Sequence, residues 1–209
     1  MSGPRVAGLT GLTLSDAPPV CRDCVWWQSP PGRSVEKQKW IGRAESEWGP
    51  WGTVYYEVDG RVLGSMQYGP SKLFPRAETL PAGPPSPDAV LVTCAYLLET
   101  STLWVMQSLF LAAIGDAKAK EAKALEAFAY RYAEGESRYE RFSVHKTIFP
   151  ADFLADFGFV SVRSSGRVEL SRLELGGLVS VAEPGRAKVL RRMKEAFVPT
   201  PVPHGSRSV

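Results

Sequence analysis

The run DAVLVTCAYLL, Asp88–Leu98, is almost continuously apolar and rich in β-branched residues. That pattern predicts a strand buried on both faces, and so one at the centre of a sheet. Directly after it, the stretch Ser101–Lys120 places Met106, Leu109, Phe110 and Ala113 at i, i+3, i+4 and i+7. This is the spacing of one helix face, with Thr100 or Ser101 available as the cap and a charged last turn. The segment ALEAFAYRY, Ala124–Tyr132, is the next strand.

Working upstream, Gly52–Val58 and Arg61–Tyr68 are β-rich runs joined by Asp59-Gly60. This predicts a hairpin with a type I′ turn and positive φ at both central residues. The prolines from Pro70 to Pro87 predict a long ordered or semi-rigid loop, because fixed φ angles and missing donors disfavour helix and inner strand. Val35–Trp48 carries Trp40, Ile41, Ala44 and Trp48 at helical spacing, and Leu9–Leu14 is a short strand candidate. Downstream, a polar loop (Ala133–Lys146) leads to a short helix, Ala151–Phe157, started by Pro150 and ended by Gly158. Two closing strands, Phe159–Arg163 and Val168–Leu175, turn at Ser164-Ser165-Gly166, and a basic helix is expected at Arg186–Phe197 before a proline-rich tail. The expected order is β, α, β, β, β, α, β, α, β, β.

Across 209 residues, 44% are hydrophobic and 22% charged, which suits a folded chain with one substantial core. The net charge of +3 is spread along the length with no basic stripe interleaved with aromatics, so nucleic acid is not an expected partner. The longest apolar stretch, Leu103–Ile114, falls short of the roughly 20 residues of a membrane span. Met1–Leu14 lacks the features of a secretory signal, so the expected location is cytoplasmic. Three cysteines argue against a disulfide framework. Cys21 and Cys24 form a C-x-x-C, but a structural zinc needs four ligands and only Cys94, His145 and His204 remain to complete one. No metal is expected, and the pair is read as two buried or half-buried thiols near the hairpin, with redox sensing as a further reading. Of the six tryptophans, Trp26, Trp27, Trp40, Trp48 and Trp51 crowd the first quarter. They suit a core or a homodimer contact better than a cage for a cationic amine.

Several short motifs fall in a telling order. Cys21, Cys24, Val25, Trp26 and Trp27 make C-x-x-C-V-W-W, followed by Trp48-Gly49, the hairpin, and Phe74-Pro75-Arg76. Then come Ser86–Val90 (SPDAV), Glu126–Phe128 (EAF), Pro150–Leu154 (PADFL) and Gly158-Phe159. With the order of elements, this set resembles small bacterial proteins of the GNAT acetyltransferase superfamily over roughly residues 10–175. The resemblance implies an α/β fold: a mixed central sheet of about six to seven strands flanked by helices, in a single domain. It would span residues 10–178, with a flexible N-terminus (1–9) and a C-terminal helix and disordered tail (179–209).

The resemblance also implies a function: transfer of an acetyl group from acetyl-CoA to an amine on a small molecule or protein. In such a fold the central strand parts from its neighbour near Tyr96, Leu97 and Leu98, where free backbone groups bond the pantetheine arm. The start of the long helix would face the pyrophosphate, assigning Ser101, Thr102, Leu103, Trp104, Val105, Met106 and Gln107 to the cofactor. The family pattern there is Gln/Arg-x-x-Gly-x-Gly/Ala; here Trp104 and Met106 stand where the two small residues belong. Leu154 stands where a catalytic Tyr is usual, so Glu126, Tyr130 and His145 are the candidate catalytic groups. Two readings follow: a GNAT-like N-acetyltransferase, or a binding or regulatory protein that keeps the fold and has lost the cofactor.

Overall fold

The computed structural model of the chain describes residues 3–98, 103–133 and 147–177. His145, Ser101, Thr102 and the expected helix and tail in 179–209 lie outside them. The strands are β1 (Arg5–Gly8), β2 (Gly52–Tyr56), β3 (Val62–Pro70), β4 (Ala89–Leu97), β5 (Ala124–Tyr130), β6 (Phe149–Pro150), β7 (Val160–Ser165) and β8 (Val168–Glu174). The helices are α1 (Pro19–Arg22), α2 (Lys37–Glu47), α3 (Leu103–Ala119) and α4 (Ala151–Ala155). None of the helices among the described residues is long and apolar enough to cross a membrane.

The sheet runs β1-β2-β3-β4-β5-β8-β7, with β6 added to β5. It is a mixed sheet flanked by helices, as the resemblance implies. The DAVLVTCAYLL run occupies the middle position. Only β4–β5 and β5–β6 are parallel; the other pairings are antiparallel. α3 returns the chain to the starting end of the sheet and so makes β4–β5 parallel, whereas the tight turns after β2 and β7 make β2–β3 and β7–β8 antiparallel.

Two local expectations are corrected. The first strand is Arg5–Gly8, not Leu9–Leu14. Thr13 ends it, because its hydroxyl donates to Gly8 O at 2.9 Å and accepts from Thr10 N–H at 2.8 Å, offering the backbone a local alternative to the ladder. The hairpin is present, but of its two central residues only Gly60 has positive φ, at 85°. Gly60 N–H donates to Glu57 O (2.9 Å) and Glu57 N–H to Arg61 O (2.8 Å), the pattern of a type I turn followed by a left-handed residue. Further along, a register shift at Tyr55/Tyr56 leaves Leu63 as an extra residue in β3.

Each face of the sheet has its own core. On one, α3 buries Val105, Met106, Leu109, Phe110 and Ala113 against Val90, Val92, Leu125 and Ala127. Phe110 there packs on Phe149, Phe153, Phe157 and Phe159, which fastens α4 to the sheet. The Tyr68 hydroxyl donates to the Asp116 carboxylate, tying β3 to α3. On the opposite face, α2 presents Trp40, Ile41 and Ala44 to Trp27, Trp51, Phe74 and Phe128. Most of the early tryptophans are thus core, although Trp26 remains 42% exposed.

Candidate functional site

Thr93 decides where the sheet opens. Gln67 pairs with Cys94 but Tyr68 with Val92, so Thr93 is an extra residue in β4, a bulge that bends the strand. Its hydroxyl is held at 3.1 Å from Gln67 Oε1 and 3.2 Å from Gln67 O. The bulge coincides with the end of the β4–β5 ladder, whose last partners are Val92 and Ala127. Beyond it β5 continues to Tyr130 and takes up β6 through Ala129↔Phe149 and Tyr130↔Pro150. β4 continues to Leu97 still paired with β3. Among the described residues, no strand pairs with its Cys94–Leu97 segment on the β5 side.

The residues assigned to the cofactor divide between this edge and the helix. Tyr96 pairs with Ser65, Leu97 with Gly64, and Leu98 N–H donates to Leu63 O at 2.9 Å, so all three lie on the open side of the bulge. Gly64 permits this approach: a Cβ there would stand 2.8 Å from Tyr96 O and 3.1 Å from Val105 Cγ1. Leu103, Trp104, Val105, Met106 and Gln107 are not loop residues; they form the first turns of α3. The reason is burial, which pins Leu103, Val105 and Met106 into the core against the sheet. Met106 is 1% exposed, and the Trp104 ring sits edge-on against Tyr55, centroids 5.2 Å apart. Both bulky side chains are therefore engaged with the sheet.

Glu126 and Tyr130, the two catalytic candidates among the described residues, stand four residues apart along β5. Glu126 is fully buried on the closed half of β5, opposite Leu91. Its Oε2 accepts from Ser86 N–H at 2.7 Å and its Oε1 from Arg172 at 3.1 Å. This is an anchored ion pair rather than a poised base. Arg172, which sequence reasoning passed over, also binds Asp88 at 3.1 Å and Glu174 at 2.5 Å. These contacts raise the Arg172 pKa and, through the Arg172 hydrogen bond, lower that of Asp88. Tyr130 stands at the open end of β5, edge-on to Tyr132 with centroids 4.9 Å apart. His145 lies outside the described residues.

A cavity of about 150 Å³ lies on the tryptophan-rich face, floored by β3 and β4 at the bulge and walled by the segment around α1 and by Lys37. All three cysteines line it: Cys21 half-buried, Cys24 exposed, Cys94 half-buried. The pair Cys21 and Cys24 thus belongs to this cavity rather than to the hairpin turn, and Cys24 is more exposed than expected. Burial pushes the Cys94 thiol up to about 12, which keeps it protonated and a poor nucleophile. Burial also lowers the pKa of Lys37. Among the described residues no group of three or more His, Cys, Asp or Glu could hold a metal ion. Lys37, Gln28 and Gln67 were not legible as site residues; a signal for Lys37 is its place three residues before Trp40, on the face of α2 that turns inward.

Solved structures similar to the chain include a GCN5-related N-acetyltransferase from Kribbella flavida, at 16% identity and TM-score 0.46, covering 83% of this chain and 98% of that one. Another is PaiA N-acetyltransferase from Thermoplasma acidophilum in complex with coenzyme A, at 15% identity and TM-score 0.45, covering 83% and 99%. A third is an N-acetyltransferase from Staphylococcus aureus Mu50, at 16% identity and TM-score 0.48, covering 83% and 99%. No family model and no curated protein matches the sequence.

Proposed function

We propose that the protein is an N-acetyltransferase that takes acetyl-CoA in the opening between β4 and β5 and an amine in the adjoining cavity. The observation that carries this reading is the end of the β4–β5 ladder at Val92 and Ala127 while both strands run on. The residues present fit the donor. The Cys94–Leu97 segment, running on past the end of the β4–β5 ladder, would lie beside an amide-bearing arm laid along it like an added strand. The α3 N-terminus contributes the positive end of its dipole toward phosphates, with Trp104 and Met106 turned to the sheet.

Acetyl-CoA, when bound, supplies the activated acetyl thioester. The chain's part is to hold and to exclude. Amide N–H groups on the β4 edge polarise a carbonyl placed there. Cavity walls of low polarity favour the neutral, nucleophilic form of an amine, and the positive charge of Lys37 acts in the same sense. No carboxylate lines the cavity among the described residues, so desolvation takes the place of a dedicated base. Tyr130, at the open end of β5, is the proposed proton donor to the departing thiolate.

Titration calorimetry with acetyl-CoA and with CoA tests the reading. Micromolar affinity for both is expected, together with thiol release when an acceptor amine is added. Absence of heat at high micromolar cofactor would overturn it in favour of a binding protein that keeps the fold. Trp104→Ala is expected to leave affinity within about threefold, because the indole packs on Tyr55; a gain of tenfold or more would show that it obstructs the phosphates.

A further inference from the structure

The cavity beside the bulge carries a polar signature that acetyl transfer as such does not demand. Its walls are mainly hydrocarbon and ring, from Leu9, Leu14, Val20, Trp26 and Met66. Lys37 and Gln67 are two of the donors that interrupt them. Lys37 donates to Cys24 O at 2.8 Å and lies 5.2 Å from the ring centres of both Trp40 and Trp51. An ammonium has three N–H donors, and no carboxylate among the described residues forms an ion pair with this one; Asp23 acts on it only at longer range. Gln67 is the second donor. Its Oε1 accepts from Gln28 Nε2 at 3.0 Å and lies 3.1 Å from the Thr93 hydroxyl. Its Nε2 is left as a donor with no acceptor among the described residues. The lining also carries Gln28, the hydroxyls of Ser65, Tyr96 and Thr147, and three cysteines.

An apolar chamber with a cation and an amide N–H group on its wall, and no carboxylate among the described lining residues, is complementary to a carboxylate on a hydrocarbon body. We infer that the cavity binds a small apolar carboxylate, its anion on Lys37 and Gln67 and its hydrocarbon against the Leu, Trp and Met walls. A volume of about 150 Å³ admits a body the size of one aromatic ring. Where the ligand also carries an amine, that group reaches the bulged end of β4, since Cys94, Ala95 and Tyr96 line the same cavity. The acceptor is then an amino acid or an amino-acid-like amine with an apolar side chain. Only this last identification rests on the acetyl-transfer reading; the carboxylate site stands on the cavity itself.

The test uses the full chain without acetyl-CoA and two probes of one shape, 3-phenylpropionate and 3-phenylpropanamide, followed by ligand-observed NMR or calorimetry. The acid is expected to bind at least tenfold more tightly than the amide. Lys37→Met is expected to abolish that preference by weakening the acid tenfold or more while leaving the amide unchanged, and Lys37→Arg to restore part of it. Should Lys37→Met fail to fold, the acid-to-amide ratio of the unaltered protein decides between pH 7 and pH 11: it collapses as Lys37 loses its proton, or the inference falls. Equal affinity for the two probes, or no acid binding at millimolar concentration, would overturn it. Acetyl-CoA binding in the same preparation, measured separately, shows whether the proposed function stands when the carboxylate site does not.

Discussion

The strands β4 and β5 begin zipped and end apart, and the two halves put their polar groups to opposite uses. In the closed half, Ala89–Val92 against Ala124–Ala127, the buried charge of Glu126 is fully engaged by Arg172 and the Ser86 N–H. Arg172 also binds Asp88 just before β4 and Glu174 at the end of β8, so one guanidinium joins three carboxylates across the sheet. In the open half, the polar groups are the Gln28–Gln67–Thr93 network and Lys37. Their donors are not exhausted. A buried charge that is fully paired holds strands in register, whereas donors left over beside a bulge are available to a ligand. Glu126 is on the first side of that division, which is why it is a clamp and not a base.

The comparison breaks most visibly at Arg172. Arg172→Met strands the Glu126 carboxylate in the core and is expected to cost about 3–5 kcal/mol in urea unfolding. Adding Glu126→Gln should recover much of the loss, as the uncompensated charge goes with it. The same pair sets an acid dependence. Asp88 has a lowered folded-state pKa because of its Arg172 hydrogen bond, so its contribution is complete above the ordinary carboxylate range and is lost as pH falls through the folded value. Asp88 is largely exposed, so its share is small, and the acid limb of the Arg172→Met stability profile should be correspondingly shallower than that of the parent.

In the open half the expected effects are smaller in stability and larger in binding. Gly64→Ala places a Cβ against Tyr96 O and Val105 and should cost about 1–3 kcal/mol. It should also weaken acetyl-CoA more than a tenfold change in folded fraction explains, because β4 and the α3 start are displaced together; a purely structural effect would leave affinity per folded molecule unchanged. The smallest effect belongs to Lys37. Burial lowers its folded pKa, so the unfolded chain holds the proton more tightly and stability rises with pH between that lowered value and 10.5. Lys37→Met removes this dependence. Its advantage in urea midpoint over the parent, measured at pH 7, should therefore shrink at pH 10, and a constant difference would mean that the ammonium is not desolvated.

How much of this was legible follows the range of the interactions. The central strand, the helix after it, the hairpin and α2 were readable because each is written in a local period or turn dipeptide: DAVLVTCAYLL, the Met106–Ala113 spacing, Asp59-Gly60, and Trp40-Ile41 with Ala44. Even there the turn type was not, since Asp-Gly serves both a type I′ turn and a type I turn with a left-handed glycine, and in this hairpin Gly60 takes the positive φ while Asp59 does not. Glu126 looked like a catalytic candidate because its partner is 46 residues away in β8. Trp104 and Met106 looked like obstructions because a pattern laid along the chain does not say that both side chains turn onto the sheet.

By itself the sequence determined which segments bury both faces, which bury one, and in what order they follow, because hydrophobic period is a property of neighbouring residues. Only the tertiary structure decided where β4 leaves β5, which charges are spent holding them, and that Lys37 and Gln67 meet over one cavity. Those outcomes depend on a one-residue bulge and on contacts between strands and helices distant in the chain, and no local pattern encodes a distance of that kind.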